Sequence, residues 1–111
     1  MSGSAHVRKR GDTNKPVTVT LSVTSGTLDV STGVTSILLY VRPSSGATAA
    51  EAYTMTASSA LVVTYAPTAL DTFVTTADTY DVEVQVTFTN GKIQTFPESG
   101  TLTIKTTDDL D

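Results

Sequence analysis

The segment from Tyr80 to Phe88 constrains the fold more than any other part of this sequence. Apolar and polar side chains alternate along it, which is the period of a β-strand with one buried face. The apolar positions are Tyr80, Val82, Val84, Val86 and Phe88. Asn90-Gly91 follows at once, and both residues tolerate the positive φ of a type I′ turn. We therefore predict a long strand that returns through a tight hairpin into a second strand containing Ile93 and Phe96.

Similar alternation elsewhere predicts further short strands. One runs from Val17 to Val23, and another centres on Leu39, with Ile37 and Val41 on the same face. A third is predicted over Glu51–Thr56. The 111 residues include 23 Thr and 13 Val, a composition that favours strands over helices. A long connection from 68 to 77 is expected to contain one helical turn around Ala69-Leu70-Asp71.

The spacing of these strands and of the turn residues between them is typical of an all-β, immunoglobulin-like β-sandwich of about seven antiparallel strands. Asp78-Thr79-Tyr80-Asp81-Val82 has the form of a tyrosine corner, in which a Tyr at the start of the penultimate strand hydrogen-bonds back to the backbone. Tyr80 as an ordinary first core residue is the alternative. The chain has no Trp, so the centre is expected to be filled by Leu21, Leu39 and Val84.

Charge divides the chain into two regions. Residues 1–15 carry a net charge of +3, whereas residues 16–111 carry −7. We predict a flexible basic arm over 1–12, the sandwich over 13–107 and an acidic tail over 108–111. The candidate partner-binding residues of this basic region are Arg8, Lys9, Arg10 and Lys15, which suit an acidic protein neighbour. A merely solvated basic run is the other interpretation, and nucleic acid is not expected as a partner because no aromatic residues are interleaved.

Leu38 and Tyr40 provide a second candidate contact. They alternate with the predicted core residues of their strand, so both faces of this strand are apolar. Such a strand is either central in its sheet or covered on its outer face by a partner. We predict that Leu38 and Tyr40 form a partner-binding sheet face.

Several classes of function are not expected from the residue types present. The chain has no Cys and a single His, His6, so a Cys/His metal site and cysteine chemistry have no residues to build them. His6 lies in the predicted arm, where nothing rigid would orient it as a base. We expect no enzyme activity, no cofactor and no metal. No run approaches the ~20 apolar residues of a membrane helix, and no apolar stretch follows the basic start as in a secretory signal, so we expect synthesis in the cytoplasm.

Four stretches, taken in order, carry a resemblance. They are 8–13 (RKRGDT), 36–42 (SILLYVR), 80–88 (YDVEVQVTF) and 90–97 (NGKIQTFP). Over residues 8–105 the chain resembles small immunoglobulin-like virion proteins of tailed bacteriophages, related to the N-terminal domain of baseplate upper proteins. The resemblance implies a non-catalytic structural protein of the virion, made in the host bacterial cytoplasm. Its partners would be capsid, neck or tail proteins, or further copies of itself within the particle.

The members of that group with receptor-binding tips continue into further domains. A chain of this length is therefore expected to decorate or cement a shell or tail, with a baseplate adaptor as the other role within the virion. A free adhesion or carbohydrate-binding module is the alternative outside it. Such modules present aromatic rings to their ligand, and Tyr40, Tyr53 and Phe73 are the candidates because the other aromatic residues are predicted to lie in the core.

Overall fold

The computed structural model describes residues 5–23, 26–44, 50–97 and 102–107. Within these residues the chain forms nine strands and one helical turn. In order they are β1 (Ala5–Lys9), β2 (Val17–Thr20), β3 (Val34–Pro43), β4 (Glu51–Thr54), β5 (Thr56–Ala57), β6 (Val62–Tyr65), α1 (Thr72–Thr75), β7 (Asp78–Phe88), β8 (Ile93–Phe96) and β9 (Leu102–Thr107). The prediction of an all-β chain is confirmed. The predicted acidic tail, 108–111, lies outside the described residues.

The strands form two sheets. The large sheet has the order β1-β9-β7-β3-β4, and β8 pairs with β7 beyond the point where β9 ends. The small sheet has the order β2-β6-β5. The alternation that predicted β7 gives it one face that is buried from Tyr80 to Val86. Its length lets it pair with β3 along one edge and with β8 and β9 in succession along the other.

The side chains between the two sheets form one hydrophobic core. Leu21, Leu39 and Val84 are each at most 1 % exposed, so the prediction that they fill the centre is confirmed. Tyr80 and Phe73 are the largest fully buried side chains. Phe73 lies on α1, which begins at Thr72, directly after the residues Ala69-Leu70-Asp71 around which the helical turn was predicted.

The hairpin between β7 and β8 forms where Asn90-Gly91 predicted it, but the turn type differs. Gly91 has φ of +87°, whereas no described residue other than glycine has positive φ, so Asn90 does not take the conformation that type I′ requires. The amide of Gly91 donates to the carbonyl of Phe88 at 2.9 Å, and the amide of Phe88 donates to the carbonyl of Lys92 at 2.8 Å. This is the pattern of a type I turn followed by a glycine bulge.

The single strand predicted over Glu51–Thr56 is two strands in different sheets. β4 pairs with β3 in the large sheet, and β5 pairs with β6 in the small one. Met55 lies between them, is 3 % exposed, and donates its amide to the carbonyl of Ile37 at 2.9 Å. The chain crosses from one sheet to the other at this buried residue, which explains why period-2 alternation does not continue through it.

The N-terminal region differs most from its prediction. Residues 5–9 are not a flexible arm but the edge strand β1, which pairs in parallel with β9 from Ala5↔Thr103 to Lys9↔Thr107. The sandwich therefore begins before residue 13, and its strands are not all antiparallel. The amide of Arg10 extends the pairing by donating to the carbonyl of Thr107 at 2.7 Å, and the amide of Gly11 donates to the carbonyl of Val74 at 2.8 Å. Residues 1–4 lie outside the described residues.

Candidate protein-binding surfaces

Arg8, predicted to contact a partner, points into the protein. Its side chain is 3 % exposed, and its guanidinium carbon lies 5.5 Å from the centre of the Phe73 ring. The guanidinium donates to the carbonyl of Lys15 at 3.2 Å and to that of Asp12. Burial lowers the pKa of Arg8, while the nearby charges of Asp12 and Asp71 act to raise it. Arg8 therefore anchors β1 to the body and is not accessible to a partner in this fold.

The other three candidate cations lie at the surface. Lys9, Arg10 and Lys15 are exposed. The Nζ of Lys15 donates to the carbonyl of Val7 at 2.6 Å, and so covers one backbone acceptor of β1. An edge strand with open backbone groups invites pairing with another chain, and a lysine placed against it blocks that pairing. The role of these three cations in binding a partner stays a prediction.

Leu38 and Tyr40 lie on the surface of the large sheet that points away from the core, which we call the outer face. Leu38 is paired with Gln85 of β7, and Tyr40 is paired with Glu83. Both side chains are half-buried, and β3 lies between β7 and β4. The prediction of a central strand is confirmed, whereas the role of Leu38 and Tyr40 in binding a partner stays a prediction.

Tyr40 also lines a cleft of about 440 Å³ on the outer face. Its polar lining is Arg42, Asp81 and Glu83, and its apolar lining includes Pro97 and Leu102. Arg42 and Asp81 form an ion pair at 3.8 Å, in which both side chains are about half exposed. The hydroxyl of Ser44 donates to the other oxygen of Asp81 at 2.8 Å. Glu83 forms no ion pair within the part of the chain that the structure describes.

The sequence did not indicate the polar group around Asp71, whose side chain is only 7 % exposed. Its carboxylate accepts hydrogen bonds from the Tyr65 hydroxyl at 2.8 Å, from the Thr68 amide at 2.8 Å and from the Thr68 hydroxyl at 3.0 Å. Burial, together with the bond to Asp71, raises the pKa of Tyr65 to about 12. An Asp within three residues of a Thr, before a helical turn, is the signal that could have found this site.

Two of the aromatic residues that the carbohydrate-binding alternative assigned to a ligand, Tyr53 and Phe73, pack against Tyr65 instead. Phe73 is fully buried, so its assignment to a ligand surface is wrong. Tyr53 is half-buried, with ring centres 5.4 Å from Phe73 and 5.0 Å from Tyr65, and its hydroxyl donates to Glu51 at 2.8 Å. Burial raises the pKa of Tyr53 above its usual value. Of the three candidates, only Tyr40 lies on an open surface.

The described residues contain no group of three or more acidic or imidazole side chains placed to hold a metal ion. The side chain of His6 lies outside the described part. Within the described residues, no helix is long and apolar enough to cross a membrane.

No protein-family model and no curated protein matches this chain. The functional assignment therefore depends on the residues and on the geometry described above.

Proposed function

We propose that this protein is a non-catalytic, immunoglobulin-like structural component of a tailed-bacteriophage virion. It binds neighbouring capsid, neck or tail proteins, as a decoration or cement protein or as a baseplate adaptor. The binding surfaces are the outer face around Tyr40 and the exposed cations Lys9, Arg10 and Lys15. The observation that carries the proposal is the open outer face, which combines the Tyr40 cleft with Glu83, a carboxylate that forms no ion pair within the described residues.

The strand order supports the immunoglobulin-like assignment. In that fold one sheet contains strands B, E and D, and the other contains G, F and C, extended by C′ in variable-type domains. The small sheet here has the order β2-β6-β5, and the large sheet contains β9-β7-β3-β4. Assigned in chain order, these strands correspond to B-E-D and to G-F-C-C′.

Tyr80 supports the same assignment. Its hydroxyl donates to the carbonyl of Thr76, four residues upstream, at 2.7 Å, and its side chain is 1 % exposed. This is the bond predicted for a tyrosine corner, at the start of the strand that corresponds to F. A hydroxyl that bonds back to the backbone favours the tyrosine corner over the alternative of an ordinary first core residue.

The resemblance to phage virion proteins supplies the biological setting. Its four stretches correspond to β1 with the turn after it, to β3, to β7, and to the hairpin with β8. All four belong to the large sheet, in which β3, β7 and β8 are adjacent and β9 separates β1 from β7. The stretches that carry the resemblance therefore form one side of the molecule.

The test is to separate purified particles of the phage that encodes this chain into heads and tails and to probe each fraction for it. We expect the chain in one fraction, in a fixed ratio to a neighbouring protein. A particle lacking the chain in both fractions would contradict the proposal. Removing residues 1–12 is not a suitable test of the basic region, because it deletes β1 and Arg8.

Point variants locate the binding surface. Tyr40→Ser and Glu83→Lys on the outer face should reduce incorporation into particles, whereas Lys92→Glu in the β7–β8 turn should not. Equal incorporation of all three would place the contact elsewhere. Specific binding to a glycan that Tyr40→Ser abolishes would instead support the carbohydrate-binding alternative, since the cleft volume is in the usual range for small ligands, about 300–1,000 Å³.

A further inference from the structure

The turn between β7 and β8 places a side-chain amide next to an unshielded backbone nitrogen. Asn90 and Gly91 are both exposed. Gly91 has no Cβ, and the space that a Cβ would occupy holds no atom within 4 Å, so the approach to its nitrogen is open. In an Asn-Gly pair this nitrogen attacks the Cγ of the asparagine, and the side-chain amide leaves as ammonia. The turn therefore contains both groups that a spontaneous deamidation requires.

The closed turn holds these two groups in the wrong orientation for the reaction. Asn90 is the third residue of the type I turn, where ψ is roughly 0°. Ring closure instead needs the Gly91 nitrogen on the same side of the Cα–C bond as the Asn90 side chain. The Gly91 amide is also engaged, since it donates to the carbonyl of Phe88 at 2.9 Å. The peptide unit must rotate, and this hydrogen bond must break, before the nitrogen reaches Cγ.

Opening this turn exposes little apolar surface. Lys92 is exposed and Ile93 is 60 % exposed, so the start of β8 adds little to the core. The hydrogen bonds at stake are that of Gly91 and the one from the Lys92 amide to Oδ1 of Asn90 at 3.0 Å. A segment with few buried apolar contacts opens at a lower free energy than the whole protein. The turn therefore opens while the core stays folded.

We propose that Asn90 is a deamidation site whose rate in the folded protein is set by opening of the β7–β8 turn. In the open turn the Gly91 nitrogen gives its proton to hydroxide and bonds to Cγ. The bond from Cγ to Nδ2 breaks, and Nδ2 takes a proton from water and leaves as ammonia. Water then opens the succinimide ring. Cleavage at Cγ gives an aspartate at position 90, and cleavage at the backbone carbonyl gives an isoaspartate.

The two products affect the hairpin differently. Both add one negative charge at position 90. Isoaspartate also adds one carbon to the backbone of the turn, because the chain then runs through the former side chain. The bonds from Gly91 to Phe88 and from Phe88 to Lys92 depend on the spacing of this turn. Isoaspartate therefore loosens the hairpin, whereas aspartate changes only its charge.

The first experiment incubates the full chain at mildly alkaline pH, both folded and unfolded in urea. Mass spectrometry and chromatography follow the peptide that contains position 90. The unfolded chain should react at least about tenfold faster, because the folded turn is closed most of the time. The ratio of the folded rate to the unfolded rate should match, within about threefold, the fraction of open turn given by hydrogen exchange of the Gly91 amide. Asn14, the other asparagine of the chain, precedes the bulky Lys15 and should react more slowly than Asn90 in urea.

Three results would overturn the inference. Equal rates in the folded and unfolded chain would show that the turn does not control the reaction. A folded rate that follows global unfolding instead of exchange at Gly91 would exclude local opening. In urea, a position 90 that reacts no faster than Asn14 would remove the site itself. None of these results bears on incorporation into particles, because the reaction concerns the isolated chain.

The isoaspartate product gives a separate test. Purified by ion exchange, it should unfold at a lower urea concentration than the Asn90→Asp variant, which carries the same charge on an ordinary backbone. Equal midpoints for the two would contradict the effect on the hairpin. Asn90→Ser should release no ammonia from this position and serves as the blank.

Discussion

At the scale of single residues, the buried charges Arg8 and Asp71 lie at the same end of the core. The Phe73 ring lies beside both the Arg8 guanidinium and the ring of Tyr65, whose hydroxyl binds Asp71. Removing charges from water is costly, and the cost is offset here by hydrogen bonds to backbone carbonyls, to a tyrosine and to an amide. The N-terminal strand is therefore held by its most polar side chain rather than by an apolar one.

Arg8→Met should lower the free energy of unfolding by about 2 kcal/mol. Methionine fills much of the space, but the carbonyls of Asp12 and Lys15 lose their donor and Phe73 loses the cation beside its ring. Urea unfolding at neutral pH measures the change. The matched control, Lys9→Met, alters the neighbouring exposed lysine and should stay within about 0.5 kcal/mol of the unchanged protein. Equal losses for the two variants would show that Arg8 does not anchor β1.

The raised pKa of Tyr65 predicts that the protein loses stability at alkaline pH. Its folded pKa is raised to about 12, so the unfolded chain releases the proton first, and unfolding becomes easier as the pH rises from about 10 to about 12. Below pH 10 the full contribution is present. Tyr65→Phe should be less stable at pH 7 by about 1 kcal/mol and should lose less stability between pH 9 and 11.

Urea midpoints across that pH range measure the effect. Tyr40→Phe is the control, because the Tyr40 hydroxyl bonds to no group in the described part of the chain. If Tyr65→Phe and the unchanged protein decline in parallel, the Tyr65–Asp71 bond does not cause the pH dependence.

At the scale of elements, the β7–β8 hairpin depends on one backbone conformation. Gly91 has φ of +87°, which costs a residue with a Cβ roughly 1–2 kcal/mol, although a Cβ there would meet no atom within 4 Å. Gly91→Ala should therefore destabilise the protein by about 1 kcal/mol through the backbone alone. Gly91→Asn, which tolerates positive φ, should cost less, and thermal unfolding of both variants measures the difference. An alanine variant as stable as the glycine protein would contradict the assigned turn.

At the scale of the whole molecule, the sequence predicted those parts of the fold in which local pattern and final environment agree. Alternation found β7 and β3, and Asn90-Gly91 found the hairpin, because a half-buried strand and a glycine turn carry their own signals. β1 was missed because its inward residue is Arg8, which has the wrong polarity for a core position. The cleft could not be predicted from local pattern, because Tyr40 and Glu83 are far apart in the sequence and become neighbours only when β3 pairs with β7.

The two charge regions of the sequence are likewise rearranged by the fold. The basic segment is divided, because Arg8 turns inward while Lys9 joins Lys105 on the outer face. The net charge of a sequence segment therefore does not give the charge of the surface to which that segment contributes. What a partner meets is set by strand register, which places lysines and carboxylates of distant segments on one plane.

The parallel pairing of β1 with β9 also determines how the protein carries mechanical load. Ala5 lies beside Thr103, and Lys9 lies beside Thr107, so residue 5 and residue 107 stand at opposite ends of the same strand pair. Tension applied between these two residues slides the strands along each other and loads all their hydrogen bonds at once. A hairpin pulled at its open end would instead give way one bond at a time. We therefore expect residues 5–9 and 102–107 to bear tension between residues 5 and 107 in shear, while the remaining strands carry little of it.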